Sequence, residues 1–69
     1  MLHMREQLLR AVLAHAQGEI AKHRANVEVY LEHPAGIGEH SDIVAAVDEQ
    51  LAKLAEALDK LEALDNYLQ

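Results

Sequence analysis

The stretch His33-Pro34-Ala35-Gly36-Ile37-Gly38-Glu39-His40-Ser41 decides the fold of this 69-residue chain. It holds the only proline and two of the three glycines. Pro34 disfavours helical geometry at the preceding residue, and Gly36 and Gly38 tolerate the positive φ angles of a chain reversal. The sequences on both sides are patterned as long helices. The stretch therefore predicts one αα-hairpin.

The first helix is predicted from about residue 2 to residue 32, with the loop over 33–40. Its apolar residues recur at spacings of three, four and seven, which aligns them in one stripe of a helix. Leu8, Val12 and Tyr30 widen this stripe. Gly18, in the middle, predicts either a close helix crossing or a local weakness, and we favour the crossing. The stripe comprises Leu2, Leu9, Leu13, Ala16, Ile20, Val27 and Leu31.

The second helix is predicted from about residue 41 to residue 68. Ser41 is the expected N-cap, and Asp42 is expected to favour the helix dipole from the first turn. The apolar residues fall on the a and d positions of a heptad, interrupted only by Asp65, which is typical of a coiled-coil seam. These positions are Val44, Val47, Leu51, Leu54, Leu58, Leu61 and Leu68.

Composition favours an all-α protein that associates with itself. The hydrophobic share is 51%, and it is mostly alanine and leucine, with two tyrosines and neither phenylalanine nor tryptophan. A single domain of this size is seldom stable without a disulfide, a bound metal or oligomerisation. The chain has no cysteine for a disulfide. We predict a homodimer forming an antiparallel four-helix bundle, with a tetramer as the alternative. The expected interface residues are Leu9, Leu13, Ile20, Val27, Val47, Leu51, Leu54, Leu58 and Leu61.

The charge of the chain argues against a nucleic-acid partner. The formal net charge is −6. Residues 1–33 are balanced, whereas from Pro34 onward eight acids face two lysines, so a phosphate backbone is repelled. No run of roughly 18 apolar residues predicts a membrane span, and the first residues lack the pattern of a signal peptide. We expect a cytoplasmic protein whose partners are itself and other proteins.

His15, Glu19 and His23 are the candidate metal ligands. Their spacing of four aligns them on one flank of the first helix, where imidazole and carboxylate can share a metal ion. Such a triplet also arises by chance, and His23 lies between Ile20 and Val27, where it can simply hydrogen-bond a neighbour. No glutamate is followed by histidine three residues later, as a di-iron bundle requires. We therefore predict no cofactor and keep the metal-binding bundle as an alternative.

The loop and the acidic face offer further alternatives. His33, Glu39 and His40 lie near Ser41 and Asp42, but a hairpin tip excludes little water, so no catalytic residues and no enzyme activity are predicted. Ile37, between the two glycines, is expected to plug the end of the bundle or to contact a partner. The acidic residues of the second helix have two interpretations: they form an ordinary solvent-exposed face, or they mimic nucleic acid and act as a decoy for a nucleic-acid-binding protein. These residues are Asp48, Glu49, Glu56, Asp59 and Glu62.

The segment Asn26–Val44 resembles the middle of short helical proteins encoded by tailed bacteriophages and found in marine viral sequences. The shared pattern is an aliphatic-Tyr-Leu, a proline, a Gly-Ile-Gly-Glu-His turn and an acidic-Ile helix start. His33 stands where that family has asparagine. The resemblance implies a viral origin, and hence a location in the cytoplasm of the host cell. It implies no activity. The wide apolar faces, rather than the resemblance, predict a non-enzymatic protein that works by protein contact, as an accessory structural piece or a small binder of another protein.

Overall fold

Two antiparallel helices form the protein. A computed structural model describes residues 3–33 and 42–68. Helix α1 spans Met4–Glu32 and helix α2 spans Ile43–Tyr67, and these described ranges contain no strand. The predicted all-α hairpin is confirmed. The hairpin measures 51 × 21 × 16 Å. Neither α1 nor α2 contains a segment long and apolar enough to cross a membrane.

The N-cap of α2 is Asp42 rather than the predicted Ser41. The Asp42 side chain accepts a hydrogen bond from the backbone N–H of Ala45 at 2.9 Å, which satisfies one of the helix's unpaired first-turn donors. A carboxylate in this position also complements the helix dipole. Ser41 and the predicted loop residues Pro34, Gly36, Ile37 and Gly38 lie outside the described residues, as does the plug expected at Ile37.

A hydrogen bond ties the open end of the hairpin together. Arg5 Nη2, in the first turn of α1, donates to the backbone oxygen of Leu68 at 2.9 Å. Leu68 is the C-cap of α2, and its N–H bonds to the carbonyl of Leu64. Since the last turn of α2 contains no basic residue of its own, Arg5 supplies the positive charge that this helix end favours.

The core of the described hairpin is thin because small residues occupy its centre. Its buried apolar residues are Ala16 on α1 and Ala57 and Leu64 on α2. Alanines at facing positions let the two backbones approach closely. Leu31, predicted in the α1 stripe, is exposed, and His23 and Tyr30 continue the stripe instead. Partly buried side chains flank the core along both helices, namely Leu9, Leu13, Ile20, Val27, Tyr30, Val47, Leu54 and Leu61.

The seam of α2 is rotated from the one that its heptad pattern predicts. Val44, Leu51 and Leu58 were expected on the seam, yet they are 79%, 46% and 48% exposed. The positions one residue earlier, Gln50 and Ala57, face α1 in place of the two leucines. We call Val44, Leu51 and Leu58 the leucine face. Within this chain they are not covered by α1, so the seam prediction was wrong at these three positions. It was also wrong at Leu68, the C-cap of α2, which is 45% exposed.

Gly18 does not mark a close crossing between α1 and α2. It is exposed, and a Cβ built on it meets nothing within 4 Å. The prediction of a crossing was therefore wrong for this hairpin. A glycine in an exposed helix interior costs about 1 kcal/mol relative to alanine because its backbone loses more entropy on folding. Gly18 is thus a local weakness of α1.

Candidate functional site

A histidine is buried in the seam between the helices. His23 is 5% exposed and occupies the same side of α1 as Ala16 and Ile20. Its Nε2 lies 2.9 Å from Oε2 of Glu19, one helical turn earlier. Buried imidazole needs hydrogen-bond partners because desolvation of an unpaired polar group is costly. Glu19 supplies the first of them from the edge of the seam.

The second partner of His23 comes from α2. Oε1 of Gln50 lies 2.8 Å from Nδ1 of His23, and Nδ2 of Asn26 donates to the same oxygen at 3.1 Å. We call Glu19, His23, Asn26 and Gln50 the polar layer. Within the described residues, no buried side-chain nitrogen or oxygen lacks a hydrogen-bond partner. The expectation that His23 hydrogen-bonds a neighbour is confirmed.

Both ring nitrogens of His23 have a polar partner. Nε2 faces the carboxylate of Glu19 and Nδ1 faces the side-chain amide of Gln50. The Asn26 donor fixes which end of the Gln50 amide faces the ring. The hydrogen bonds thus link α1 and α2 through one connected set of side chains.

A groove of about 310 Å³ opens beside the polar layer, between α1 and α2. It contains all three lysines of the chain. Lys53 and Lys60 form exposed ion pairs at 3.3 Å with Glu49 and Glu56, one turn earlier on α2. Because acids accompany the lysines, the groove presents alternating charges rather than one sign. Its lining residues are His15, Ala16, Glu19, Lys22, His23, Lys53, Glu56, Ala57 and Lys60.

Glu19 is expected to make the hairpin sensitive to acid. Its hydrogen bond to His23 lowers its pKa below the usual 4.5, and the charges of Lys22, His23 and His15 lower it further, while partial burial opposes them. A carboxyl whose pKa is lower in the folded state stabilises the fold above its unfolded pKa. That stability is lost as the pH falls below about 4.5 and through the folded value. We predict that Glu19→Gln flattens this decline.

The measurement for Glu19 is the urea midpoint of unfolding between neutral pH and about pH 3, below the pKa of an ordinary glutamate. Glu28→Gln, at an exposed position of the same helix, is the matched control for the loss of one negative charge. An equally steep acid decline in Glu19→Gln and in the wild type would contradict the role given to Glu19.

The three predicted metal ligands lie on one flank but do not form a metal centre. His15 Nε2 is 4.0 Å from Glu19 Oε1, and His15 is largely exposed. His23 is turned into the seam, and both of its ring nitrogens already face oxygens. Among residues 3–33 and 42–68, no group of three or more His, Cys, Asp or Glu side chains is placed to hold a metal ion.

The remaining predicted site residues lie apart from the polar layer. Asp48, Glu49, Glu56, Asp59 and Glu62 are exposed along α2. His33 is the exposed C-cap of α1, and the other histidine of the predicted loop cluster, His40, lies outside the described residues.

Sequence reasoning missed Asn26 and Gln50. Their signal was weak because polar residues at helix positions usually point to solvent. Gln50 lies three residues after Val47 and four before Leu54, which is a seam spacing, and a polar residue there indicates a partner across the seam.

No protein-family model, curated protein or solved structure matches this chain. We therefore infer its function from the contacts, burial and charges of the described residues.

Proposed function

We propose that this protein is a non-enzymatic helical hairpin that acts through protein contact, and that its partner is a second copy of itself. The leucine face is the observation that carries the proposal. Val44, Leu51 and Leu58 are spaced by seven residues and lie in line along α2, more than 45% exposed. Apolar side chains repeated in register are typical of a helix that packs on another helix.

The exposed area of the chain favours a partner of about this size. The hairpin exposes 5423 Å². A compact monomer of 7.7 kDa exposes about 4,300 Å². The excess is about 1,100 Å², and a standard protein interface buries about 800 Å² per partner. Covering one long face of the hairpin with a second copy through an interface of this size removes most of the excess.

The charges of the two helices favour one way of pairing the copies. Helix α1 has four basic and four acidic residues, whereas α2 has two lysines against six acids. Packing α2 on α2 of the second copy would bring like charges together, at a cost in free energy. Packing α2 on the partner's α1 avoids this repulsion. The two copies then form a four-helix bundle in which α1 and α2 alternate around the core.

Arginines are placed to support this arrangement. Lys22 and Lys53 line the groove, and each comes one position before a seam residue, His23 and Leu54 respectively. Residues one position after a seam residue therefore lie on the opposite face of the hairpin. Arg10 and Arg24 on α1 follow Leu9 and His23 in this way, as Leu51 follows Gln50 on α2. The arginines therefore lie on the same side as the leucine face. A second copy packed there meets them with its acidic α2.

The test is the mass of the protein in solution by light scattering coupled to size-exclusion chromatography. We expect the wild type to form a dimer at micromolar concentration. Leu51→Gln with Leu58→Gln removes four leucines from the dimer interface, and we expect its dissociation constant to rise about 100-fold or more. The matched control is Leu8→Gln with Val12→Gln, which changes two similarly exposed apolar residues on the groove side of α1.

The control variant is expected to remain a dimer. A folded wild-type monomer at high micromolar concentration would overturn the proposal. Equal loss of association in both variants would show that general surface hydrophobicity, rather than the leucine face, drives the contact.

A further inference from the structure

Helix α2 can offer α1 either of two overlapping sets of side chains. Val47, Leu54 and Leu61 belong to both sets. The first set adds the leucine face, Val44, Leu51 and Leu58, together with Asp65. The second adds the residues one position earlier, which are Ile43, Gln50, Ala57 and Leu64. In the structure Ala57 and Leu64 are buried and Gln50 is half-buried, whereas all four residues added by the first set are exposed.

Apolar burial alone does not select between the two sets. Burying a large aliphatic side chain is favourable, and the first set offers Val44, Leu51 and Leu58, but it also turns the carboxylate of Asp65 toward α1. The second set offers Ile43, Leu64 and the smaller Ala57. Another interaction is therefore needed to decide which face of α2 packs on α1.

The polar layer supplies that interaction. His23 is buried, and Gln50 holds its Nδ1 at 2.8 Å across the seam. Turning α2 toward the first set would withdraw Gln50 and place Leu51 opposite the imidazole. Leaving a buried polar group without its partner costs free energy because the group has lost its contact with water. Ala16 and Ala57 are both buried, and their small side chains suit the same orientation.

We propose that the pairing of His23 with Gln50 selects the face of α2 that packs on α1, and so keeps the leucine face outward. His23 and Gln50 are then positioning residues for the surface that a second copy covers. The inference about which face of α2 packs on α1 does not depend on dimerisation. The role of the leucine face as the contact with a second copy rests on the proposed function. Buried polar pairs are known to fix the register of coiled coils in the same way, at some cost in stability.

The test measures which face of α2 is protected, by thiol labelling. The chain has no cysteine, so Ala57→Cys and Leu58→Cys each give a single reporter at adjacent positions, one in the seam and one on the leucine face. Labelling is measured with a maleimide at the lowest workable protein concentration, where copies dissociate. We expect the thiol at position 58 to react about tenfold or more faster than that at 57, because exposure controls thiol access.

The decisive background is His23→Leu with Gln50→Leu. Replacing a buried polar pair with apolar residues commonly preserves folding, and far-UV circular dichroism checks that the helices remain. We expect the 58-to-57 rate ratio to fall to about one or below as α2 turns its leucines inward. If the double variant loses its helical signal, Gln50→Leu alone provides the same test.

The exchange variant His23→Gln with Gln50→His restores a polar pair in the same layer and is expected to restore the wild-type ratio. An unchanged ratio in the leucine background would overturn the proposal, since face selection would then lie in the alanine packing. A shifted ratio in a chain that stays monomeric at all concentrations would uphold the orienting role and reject the self-association. A dimer in which the labelling ratio is unchanged would uphold the self-association and reject the orienting role of His23 and Gln50.

Discussion

Leu64→Ala is expected to lower the free energy of unfolding by about 2–4 kcal/mol. Leu64 is 5% exposed and is the only large apolar residue that is buried within the described chain. Truncating it loses the transfer free energy of its side chain and leaves a cavity beside α1. Domains have about 0.05–0.15 kcal/mol of stability per residue, so this loss is a large share of the total for 69 residues. Urea unfolding followed by circular dichroism measures it.

Leu8→Ala is the matched control for Leu64→Ala. Leu8 is 57% exposed and lies near the same end of the hairpin, on α1. We expect the control to cost less than about 1 kcal/mol because little apolar area is lost. Both variants must be compared at one protein concentration, since association adds to apparent stability. A cost at Leu64 no greater than that at Leu8 would contradict the packing described for the core.

His23→Ala is expected to lower the free energy of unfolding by about 2–3 kcal/mol. The change removes a buried ring, leaves a cavity in the seam, and takes away the shared partner of Glu19 and Gln50. Asn26 still donates to Gln50, so the glutamine keeps one hydrogen bond. Urea unfolding at neutral pH measures the loss.

The control for His23→Ala is His15→Ala, on the same flank of α1. The His15 side chain is 74% exposed, and its contact with Glu19 is long, at 4.0 Å. Surface substitutions of this kind usually change stability by less than about 0.5 kcal/mol. Equal and small effects of both substitutions would contradict the polar layer as a structural element of the seam.

The sequence predicted the helices well because their determinants are local. Alanine and leucine favour helix throughout both segments, and the proline and glycines of the break disfavour it. The cap was predicted one residue early because Ser41 and Asp42 are both good N-cap residues. Only the hydrogen bond between Asp42 and Ala45 distinguishes them.

The candidate site was less predictable because it joins residues distant in the chain. The histidines and Glu19 stood out through their spacing of four, whereas Asn26 and Gln50 did not. The role of Gln50 becomes visible only when it lies opposite His23, which is 27 residues earlier in the chain. A pattern within one helix does not contain that information.

The sequence by itself determined two helices, the reversal between them and an apolar stripe on each, since propensity, turn chemistry and periodicity act within a few residues. Only the tertiary structure decided that α2 packs with Gln50 and Ala57 inward and Leu51 and Leu58 outward. The physical reason is that an apolar pattern describes the surface of one helix, whereas packing two helices also requires hydrogen bonds and shapes that match between them. The buried His23 needs a polar partner on α2, and the small Ala16 leaves room for α2 to pack closely.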